Sequence, residues 1–262
     1  MNLRLDGRKA LVCGSSKGIG RAVAYRFAEM GADVILTARS EELLNKHINE
    51  MPNNGRQKHD YLAADFQEPD KLILAMRKKF GNEPEINILV NNSGGPPPGL
   101  LHKAGPGDFI KAVERHLISS HLLMKLLLPH MKKNSWGRII NIISISVKQP
   151  VDNLGVSNTL RGAMNSWSKT LSNELAQYGI TVNNVLPGQT KTGRLDSLIS
   201  NIASEKGISE KEVEQDMISK IPAGRLAMPE ETAAAAAFLA CDEASFITGV
   251  NIPVDGGYLK CL

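Results

Sequence analysis

Apolar runs of strand length alternate with longer amphipathic segments along the whole chain. Seven runs predict strands: KALVCGS, DVILTAR, HDYLAAD, INILVNNSG, GRIINIISIS, ITVNNVLPG and GVNIPVDGG. Several of them are apolar at consecutive positions, which is typical of strands buried on both faces of a sheet. Alternating strands and helices indicate a parallel sheet with helices on both faces. No linker divides the chain, so we expect a single doubly wound α/β domain of the Rossmann type over residues 1–262.

The helical segments follow from apolar residues that recur every three or four positions. A helix from about Ile19 to Met30 follows the first strand. Residues 108–133 and 151–177 each predict one long helix with a single apolar stripe. The run AAAAAFLAC at 233–241 lacks β-branched residues and predicts a buried helix. Residues 193–220 are polar and less regular, and they predict a mobile helical lid over a substrate pocket.

Composition excludes several classes of protein. A chain of 262 residues that is 42% hydrophobic can bury a sizeable core. The net charge is +4, but the Lys and Arg residues are scattered, which argues against a nucleic-acid surface. Three separated cysteines without CxxC spacing indicate reduced thiols in an intracellular protein. No signal peptide or membrane-spanning run is present, so the expectation is a cytoplasmic protein with no membrane partner.

A glycine-rich turn follows the first strand. Gly14, Gly18 and Gly20 are spaced G-x-x-x-G-x-G in CGSSKGIG and open the first helix. Glycines allow a tight turn and let the backbone approach a pyrophosphate, which then sits at the helix N-terminus. The pattern therefore predicts a dinucleotide site. The residues of this turn expected to bind the cofactor are Gly14, Ser15, Ser16, Lys17, Gly18, Ile19 and Gly20.

The end of the second strand distinguishes the two nicotinamide cofactors. An acidic side chain there would bind the ribose 2′-hydroxyl of NAD(H). This strand ends in LTARS, which contains no acid. Arg39 and Lys17 are cations suited to the 2′-phosphate of NADP(H) by charge-assisted hydrogen bonds. We therefore expect NADP(H), although both cations could also be ordinary surface residues.

These motifs together resemble the short-chain dehydrogenase/reductase family over essentially the whole chain. CGSSKGIG is similar to the family's TGxxxGxG, NNSG at 91–94 to its NNAG, and LPGQTKT at 186–192 to its PGxxxT segment. The terminal FITGVNIPVDGG also resembles the family's last strand. The resemblance implies further cofactor contacts, with Asp65 at the adenine ring. These are Asp65, Asn92, Gly94, Pro187, Gly188, Thr190 and Thr192.

The catalytic positions depart from the family pattern. The family uses an asparagine, a serine, a tyrosine and a lysine, the last two spaced YxxxK. Ser144, near the end of the fifth strand, fits the serine. Thirteen residues later Ser157 stands at the tyrosine position, and Arg161 stands at the lysine position. The asparagine position is occupied by His116.

These substitutions change the proton chemistry. Carbonyl reduction needs a hydride from the nicotinamide and a proton for the developing alkoxide. A serine hydroxyl is too weak an acid to supply that proton alone. Arg161 stays charged and can bind ribose hydroxyls, but it cannot shuttle a proton. His116 and Lys148 are the two candidate proton sources, while the simpler alternatives are a structural hydrogen bond for His116, a solvated cation for Lys148 and a packing role for Ser157.

Three functions fit these observations. The first is an NADP(H)-dependent oxidoreductase that interconverts a carbonyl and an alcohol, with Ser144 orienting the substrate. The second is an NADP(H)-binding sensor or partner subunit with little activity, and the third is a lyase or isomerase that keeps the nucleotide structurally. No metal is expected, because His116 and His121 diverge on their helix and no carboxylate joins them. The family resemblance implies a homotetramer or homodimer paired through the two long helices.

Overall fold

The centre of the molecule is a seven-stranded parallel sheet. A computed structural model of the chain describes residues 3–261. In chain order the strands are β1 Lys9–Cys13, β2 Asp33–Ala38, β3 Asp60–Ala63, β4 Ile88–Asn91, β5 Gly137–Ile142, β6 Ile180–Pro187 and β7 Asn251–Val254. Their order across the sheet is β3-β2-β1-β4-β5-β6-β7, with every neighbouring pair parallel. The predicted doubly wound α/β fold is confirmed.

Helices cover both faces of this sheet. They are α1 Gly18–Glu29, α2 Glu41–Glu50, α3 Pro69–Phe80, α4 Pro106–Val113, α5 Ser119–Lys133, α6 Gly155–Leu175, α7 Gly193–Lys206, α8 Glu210–Ser219 and α9 Pro229–Ala240. Successive strand residues point to opposite faces. Val12 therefore packs with α1 and α9, whereas Leu11 packs with α3, α5 and α6.

The topology creates one ligand-binding edge. β1 lies between β2 and β4, so the chain reverses its direction of winding at the β1–β4 junction. In open parallel sheets, ligands bind beyond the carboxyl ends of the strands at such a junction. Each strand ends earlier than its apolar run suggested, and the remaining polar residues form the loops of that edge.

The two long predicted helices differ in detail from the observed ones. The prediction of a helix from residue 151 was wrong at its start, because Asn153 has a positive φ of 58° and Leu154 forms a bridge with Gly99. Helix α6 begins only at Gly155, and its last turn, Ala176–Tyr178, is a 3-10 helix. The predicted helix 108–133 starts at Pro106 and contains a π-helical segment at Glu114–Ile118 between α4 and α5.

The predicted lid region consists of two helices. Helix α7 ends at Gly207, which has a left-handed conformation, and α8 follows with Ser209 as its N-cap. Leu195, Ile199 and Val213 form the centre of a hydrophobic cluster that the two helices share. The region is thus folded on its own small core, and its movement as a lid stays a prediction.

A buried polar ladder crosses the middle of the sheet. The Asn91 amide donates to Asn141 Oδ1 at 2.8 Å, and the Asn141 amide donates to Asn184 Oδ1 at 3.0 Å. These side chains come from β4, β5 and β6, and each is at least nine-tenths buried. Satisfied buried networks of this kind rigidify a core and specify its register. The ladder holds together the strands whose ends carry the site.

Residues 3–261 contain neither a membrane-spanning helix nor a metal-binding cluster of side chains. No helix in that range is long and apolar enough to cross a membrane. No cluster of three or more His, Cys, Asp or Glu side chains there is arranged to hold a metal ion. The three cysteines are free thiols, of which Cys13 and Cys241 are buried and Cys261 is exposed.

Candidate active site

The glycine turn packs too closely to accept side chains. A Cβ on Gly14 would lie 2.6 Å from the Asn92 carbonyl oxygen, and one on Gly20 would lie 2.3 Å from the Gly14 carbonyl oxygen. Lys17 is the N-cap of α1 but makes no side-chain cap, and the first turn contains no acidic residue. The first N–H groups of α1 therefore lack a side-chain acceptor at its N-cap, as an anion-binding helix N-terminus requires.

Loops after β4 and β6 converge on this turn. The Asn92 amide donates to the carbonyls of Cys13 at 3.1 Å and Gly14 at 3.2 Å. The Thr192 methyl group would lie 3.1 Å from a Cβ on Gly18, and the Thr192 hydroxyl caps α7. The structure thus brings three separate predicted cofactor motifs together at the carboxyl edge of the sheet.

Other predicted cofactor residues have identifiable local roles. Ser15 accepts a hydrogen bond from Thr37 N–H at 2.8 Å, so its side chain joins the turn to β2. The Ser16 carbonyl contacts the His47 ring, Ile19 packs against the core, and Thr190 donates to Gly188 O. Pro187 is buried at the end of β6, Gly94 is exposed, and Asp65 accepts from Gln67 N–H. Their contacts with a cofactor stay predictions.

The end of β2 carries the expected cations. Arg39 follows β2 directly and is exposed, as is Lys17 in the glycine turn. Within residues 3–261 neither side chain has a carboxylate within ion-pair distance. Two cations without acidic partners suit the 2′-phosphate of NADP(H).

A cleft adjoins the glycine turn at the ends of β4 and β5. Six of the residues that line it are Cys13, Asn92, Ser93, Arg115, His116 and Arg161. The structure therefore brings the predicted residues His116 and Arg161 together beside the dinucleotide turn. No Asp or Glu is among the described residues that line the cleft.

His116 is buried and uncharged in this cleft. It lies in the π-helical segment, and its Nδ1 is 2.8 Å from the Ser93 hydroxyl. Its Nε2 is buried without a hydrogen-bond partner among residues 3–261. Burial, followed by the positive charges of Arg161, Arg115 and Arg194, lowers the pKa of His116 to about 2. The imidazole is therefore neutral near pH 7, so it can exchange hydrogen bonds but is not a charged acid.

Arg161 is a buried cation with a single hydrogen bond. Its Nη1 donates to the Ile142 carbonyl at 3.1 Å, while its Nε has no partner among the described residues. Burial, and secondarily the charge of Arg194, lowers the pKa of Arg161 to about 10. The guanidinium stays protonated at neutral pH, and no carboxylate among the described residues pairs with it.

The other three predicted catalytic residues are not among the residues that line this cleft. Ser144 is half-buried, and its Oγ accepts from Ser146 N–H at 3.1 Å at the start of a 3-10 turn. Lys148 ends that turn and is half-buried. Ser157 is buried on α6, one helical turn before Arg161. Roles for all three in catalysis remain predictions.

The sequence analysis missed two arginines of the site. Arg115 precedes His116 in the π-helical segment and lines the cleft. Arg194, in the first turn of α7, donates to the Pro96 carbonyl at 2.6 Å and lowers the pKa of both His116 and Arg161. The only sequence signals were their positions, beside His116 and just after the PGxxxT-like segment.

The arrangement fits a nicotinamide dinucleotide. The glycine turn and the N-terminus of α1 can hold a pyrophosphate. Arg39 and Lys17 can hold a 2′-phosphate. His116 and Arg161 line the cleft where the nicotinamide end would arrive, and each has one buried side-chain nitrogen, Nε2 and Nε respectively, without a hydrogen-bond partner among the described residues.

Comparisons with known proteins agree with this geometry. The family model for enoyl-(acyl carrier protein) reductase matches residues 14–259. The chain is 31% identical to the NADPH-dependent reductase BacG of Bacillus subtilis, with 98% of this chain and 100% of BacG covered. It is 35% identical to the 3-oxoacyl-[acyl-carrier-protein] reductase FabG of Escherichia coli, with 97% and 98% covered.

A solved structure gives the same result in three dimensions. L-Sorbose reductase from Gluconobacter frateurii, complexed with NADPH and L-sorbose, superposes with a TM-score of 0.90. The two chains are 30% identical and cover each other completely. The similarity extends over the whole length of both chains.

The buried neutral imidazole predicts a pH-dependent stability. In the unfolded chain His116 titrates near a pKa of about 6.5, whereas its folded pKa is about 2. Between about pH 7.5 and about pH 5.5 the unfolded state takes up a proton that the native state refuses, so this group removes about 1.4 kcal/mol of stability. On acidification over that range, the free energy of unfolding of His116→Gln should therefore fall by about 1.4 kcal/mol less than that of the wild type. Urea unfolding of both proteins at both pH values measures this difference.

His102→Gln is the matched control, because His102 is exposed. It should lose as much stability on acidification as the wild type. Equal losses in the wild type and His116→Gln would contradict a neutral His116 in the folded protein.

Proposed function

Because the chain belongs to the short-chain dehydrogenase/reductase family, we propose that it is an NADP(H)-dependent oxidoreductase that interconverts a carbonyl and an alcohol. The observation that carries the proposal is the cleft beside the glycine turn, whose lining includes the predicted residues His116 and Arg161. The relatives BacG and L-sorbose reductase are named with NADPH, which supports NADP(H) over NAD(H).

The proposed catalytic set departs from the family pattern at three positions. We infer that His116, Ser157 and Arg161 stand where the family has asparagine, tyrosine and lysine. Arg161 would bind nicotinamide ribose hydroxyls through the N–H groups that Ile142 leaves free. Its fixed charge would also stabilise an oxyanion, an effect that is often worth about 3 kcal/mol in other enzymes.

The reduction adds a hydride and a proton across the carbonyl. When bound, NADPH supplies the hydride that reaches the carbonyl carbon, and the carbonyl π electrons move to the oxygen. His116 would hold this oxygen through a hydrogen bond from Nε2–H, with Nδ1 accepting from the Ser93 hydroxyl. A neutral imidazole can act as such an electrophile when its surroundings keep its pKa low. Ser144 would orient the same oxygen from the end of β5.

We propose Lys148 rather than His116 as the source of the proton. An imidazole whose pKa is about 2 is almost never protonated at neutral pH, so it offers no imidazolium for transfer. Lys148 is half-buried at the end of the turn that Ser144 begins, and a lysine side chain offers N–H donors from a flexible stem. The proton would reach the alkoxide oxygen from Lys148 directly or through water.

A catalytically weak NADP(H)-binding protein is the second candidate. Its supporting observation is the same low pKa of His116, which removes one acid from a site that already lacks the family's tyrosine. This candidate predicts cofactor binding without hydride transfer to any carbonyl.

For assembly we propose a homodimer or homotetramer paired through α4–α5 and α6, as the family resemblance implies. Ile110 and Ile118 on the first of these segments are 59% and 38% exposed, which is unusual for isoleucine. Sedimentation equilibrium measures the mass directly, and a monomer at micromolar concentration would contradict this proposal.

Cofactor selectivity tests the predicted 2′-phosphate site. Arg39→Gln should weaken NADPH binding by about 10-fold to 100-fold, because a charge-assisted hydrogen bond contributes about 1.5–3 kcal/mol. NADH binding should change less than about 2-fold, since NADH has no 2′-phosphate. Fluorescence titration with both nucleotides measures the two dissociation constants, and the exposed Arg77→Gln is the control.

Hydride transfer is tested by following NADPH absorbance with a panel of ketones and aldehydes. We expect oxidation of NADPH by at least one of them, and Lys148→Gln should lower kcat by about 100-fold or more, as loss of a general acid does. Lys132→Gln, on the distant end of α5, should leave kcat unchanged.

Three outcomes would contradict these assignments. Tight NADPH binding without oxidation across the panel favours the sensor or partner subunit. Full activity of Lys148→Gln would show that the proton comes from another group. Product formation without net change in NADPH would favour a lyase or isomerase.

A further inference from the structure

The cleft contains an excess of positive charge that the proposed reaction does not explain. Arg115 and Arg161 line it, and Arg194, held by the Pro96 carbonyl in the loop after β4, is near enough for its charge to lower the pKa of His116 and of Arg161. Within residues 3–261 none of the three has a carboxylate within 4 Å. The partners that the described chain provides are two backbone carbonyls, Ile142 O for Arg161 and Pro96 O for Arg194.

Several arginines outside the cleft are paired with carboxylates, including the other buried one. Arg138 is the other buried arginine, and Asp242 lies 3.7 Å from its guanidinium. Surface arginines such as Arg4 and Arg225 also pair with carboxylates, both at 2.7 Å. Of the two buried arginines in residues 3–261, Arg161 is the one without a carboxylate, which costs stability unless a ligand supplies the negative charge.

The cofactor alone does not supply that charge. Its pyrophosphate has the N-terminus of α1, and its 2′-phosphate has Arg39 and Lys17. The nicotinamide ring and its ribose, which would enter the cleft, bear no negative group. His116 is neutral and adds none. A second anion is therefore needed beside the nicotinamide.

We propose that the substrate is a ketone bearing a carboxylate, which Arg115 and Arg194 bind while its carbonyl faces His116 and Arg161. This inference rests on the proposed oxidoreductase function. Guanidinium groups bind carboxylates through paired, charge-assisted hydrogen bonds. Arg115 has no hydrogen-bond partner among the described side chains and carbonyls, and only one N–H of Arg194 is engaged, by Pro96. Enough donors therefore remain for both carboxylate oxygens.

The test compares each acid with its neutral ester. The substrates are acetoacetate with methyl acetoacetate, and pyruvate with methyl pyruvate, all assayed by NADPH oxidation. The acid-to-ester ratio of kcat/KM should fall by about 10-fold or more in Arg115→Gln and in Arg194→Gln, with the ester values changing less than about 3-fold. Using the ratio removes the different intrinsic reactivities of acid and ester.

Two further variants serve as controls. Arg77→Gln changes an exposed arginine of α3 and should leave the ratio unchanged. Arg115→Lys keeps the charge but loses the planar fork, and should restore part of the ratio lost in Arg115→Gln. An unchanged ratio in both cleft variants overturns the proposal. A preference of more than about 10-fold for acetonylphosphonate over acetoacetate would overturn the carboxylate in favour of a phosphate-like group.

A binding measurement separates this proposal from the proposed function. Malonate and the neutral malonamide are titrated calorimetrically into the protein loaded with NADP+, where no turnover occurs. Malonate should bind, malonamide should not, and Arg115→Gln should weaken malonate binding by about 10-fold or more. If no carbonyl is reduced but malonate binds in this way, the reductase assignment fails and the anion site stands. If malonate does not bind, the anion site fails whatever the activity.

Discussion

The buried guanidinium of Arg161 is the constraint that best explains the site. An unpaired buried charge costs several kcal/mol in other proteins, and proteins normally provide a carboxylate, as Asp242 does for Arg138. For Arg161 the hydrogen-bond partner among the described residues is the Ile142 carbonyl. The surroundings of Arg161 also lack a negative charge. His116 is neutral, Arg115 and Arg194 are positive, and no Asp or Glu is among the described residues that line the cleft.

The sheet provides the position and the stiffness that such a site needs. Parallel strands bring the loops after β1, β4, β5 and β6 to one edge, and the asparagine ladder fixes the register of three of these strands. The π-helical segment between α4 and α5 holds His116 in the cleft. Such segments insert an extra residue into a turn and often occur at functional sites. The candidate site therefore lies where regular secondary structure ends or changes its helical period.

Much of the fold was predictable because its signals are local. Consecutive apolar residues defined the strands, and the glycine turn defined the first ligand motif. Helix ends were less predictable, since the start of α6 depends on the conformation of Asn153 and on the distant Gly99. The π-helical segment has no sequence signature in this chain, and the residues around His116 read as an ordinary amphipathic helix.

The site itself was only partly predictable. The family resemblance placed His116 and Arg161 together, and the structure agrees. It could not indicate Arg194, whose approach depends on how α7 packs against the loop at Pro96. Nor could the sequence reveal that His116 is neutral, because its pKa depends on burial and on three arginines from different elements. For this reason we propose Lys148 rather than His116 as the proton donor.

A crystal structure of the protein with NADPH tests the central claim most directly. We expect the nicotinamide end of NADPH in the cleft, with a guanidinium nitrogen of Arg161 within about 3.2 Å of a ribose hydroxyl. We also expect the 2′-phosphate of NADPH beside Arg39. A nicotinamide bound away from His116 and Arg161 would contradict the assignment of these residues to the nicotinamide site. An Arg161 whose hydrogen bonds go to the Ile142 carbonyl alone would contradict it as well.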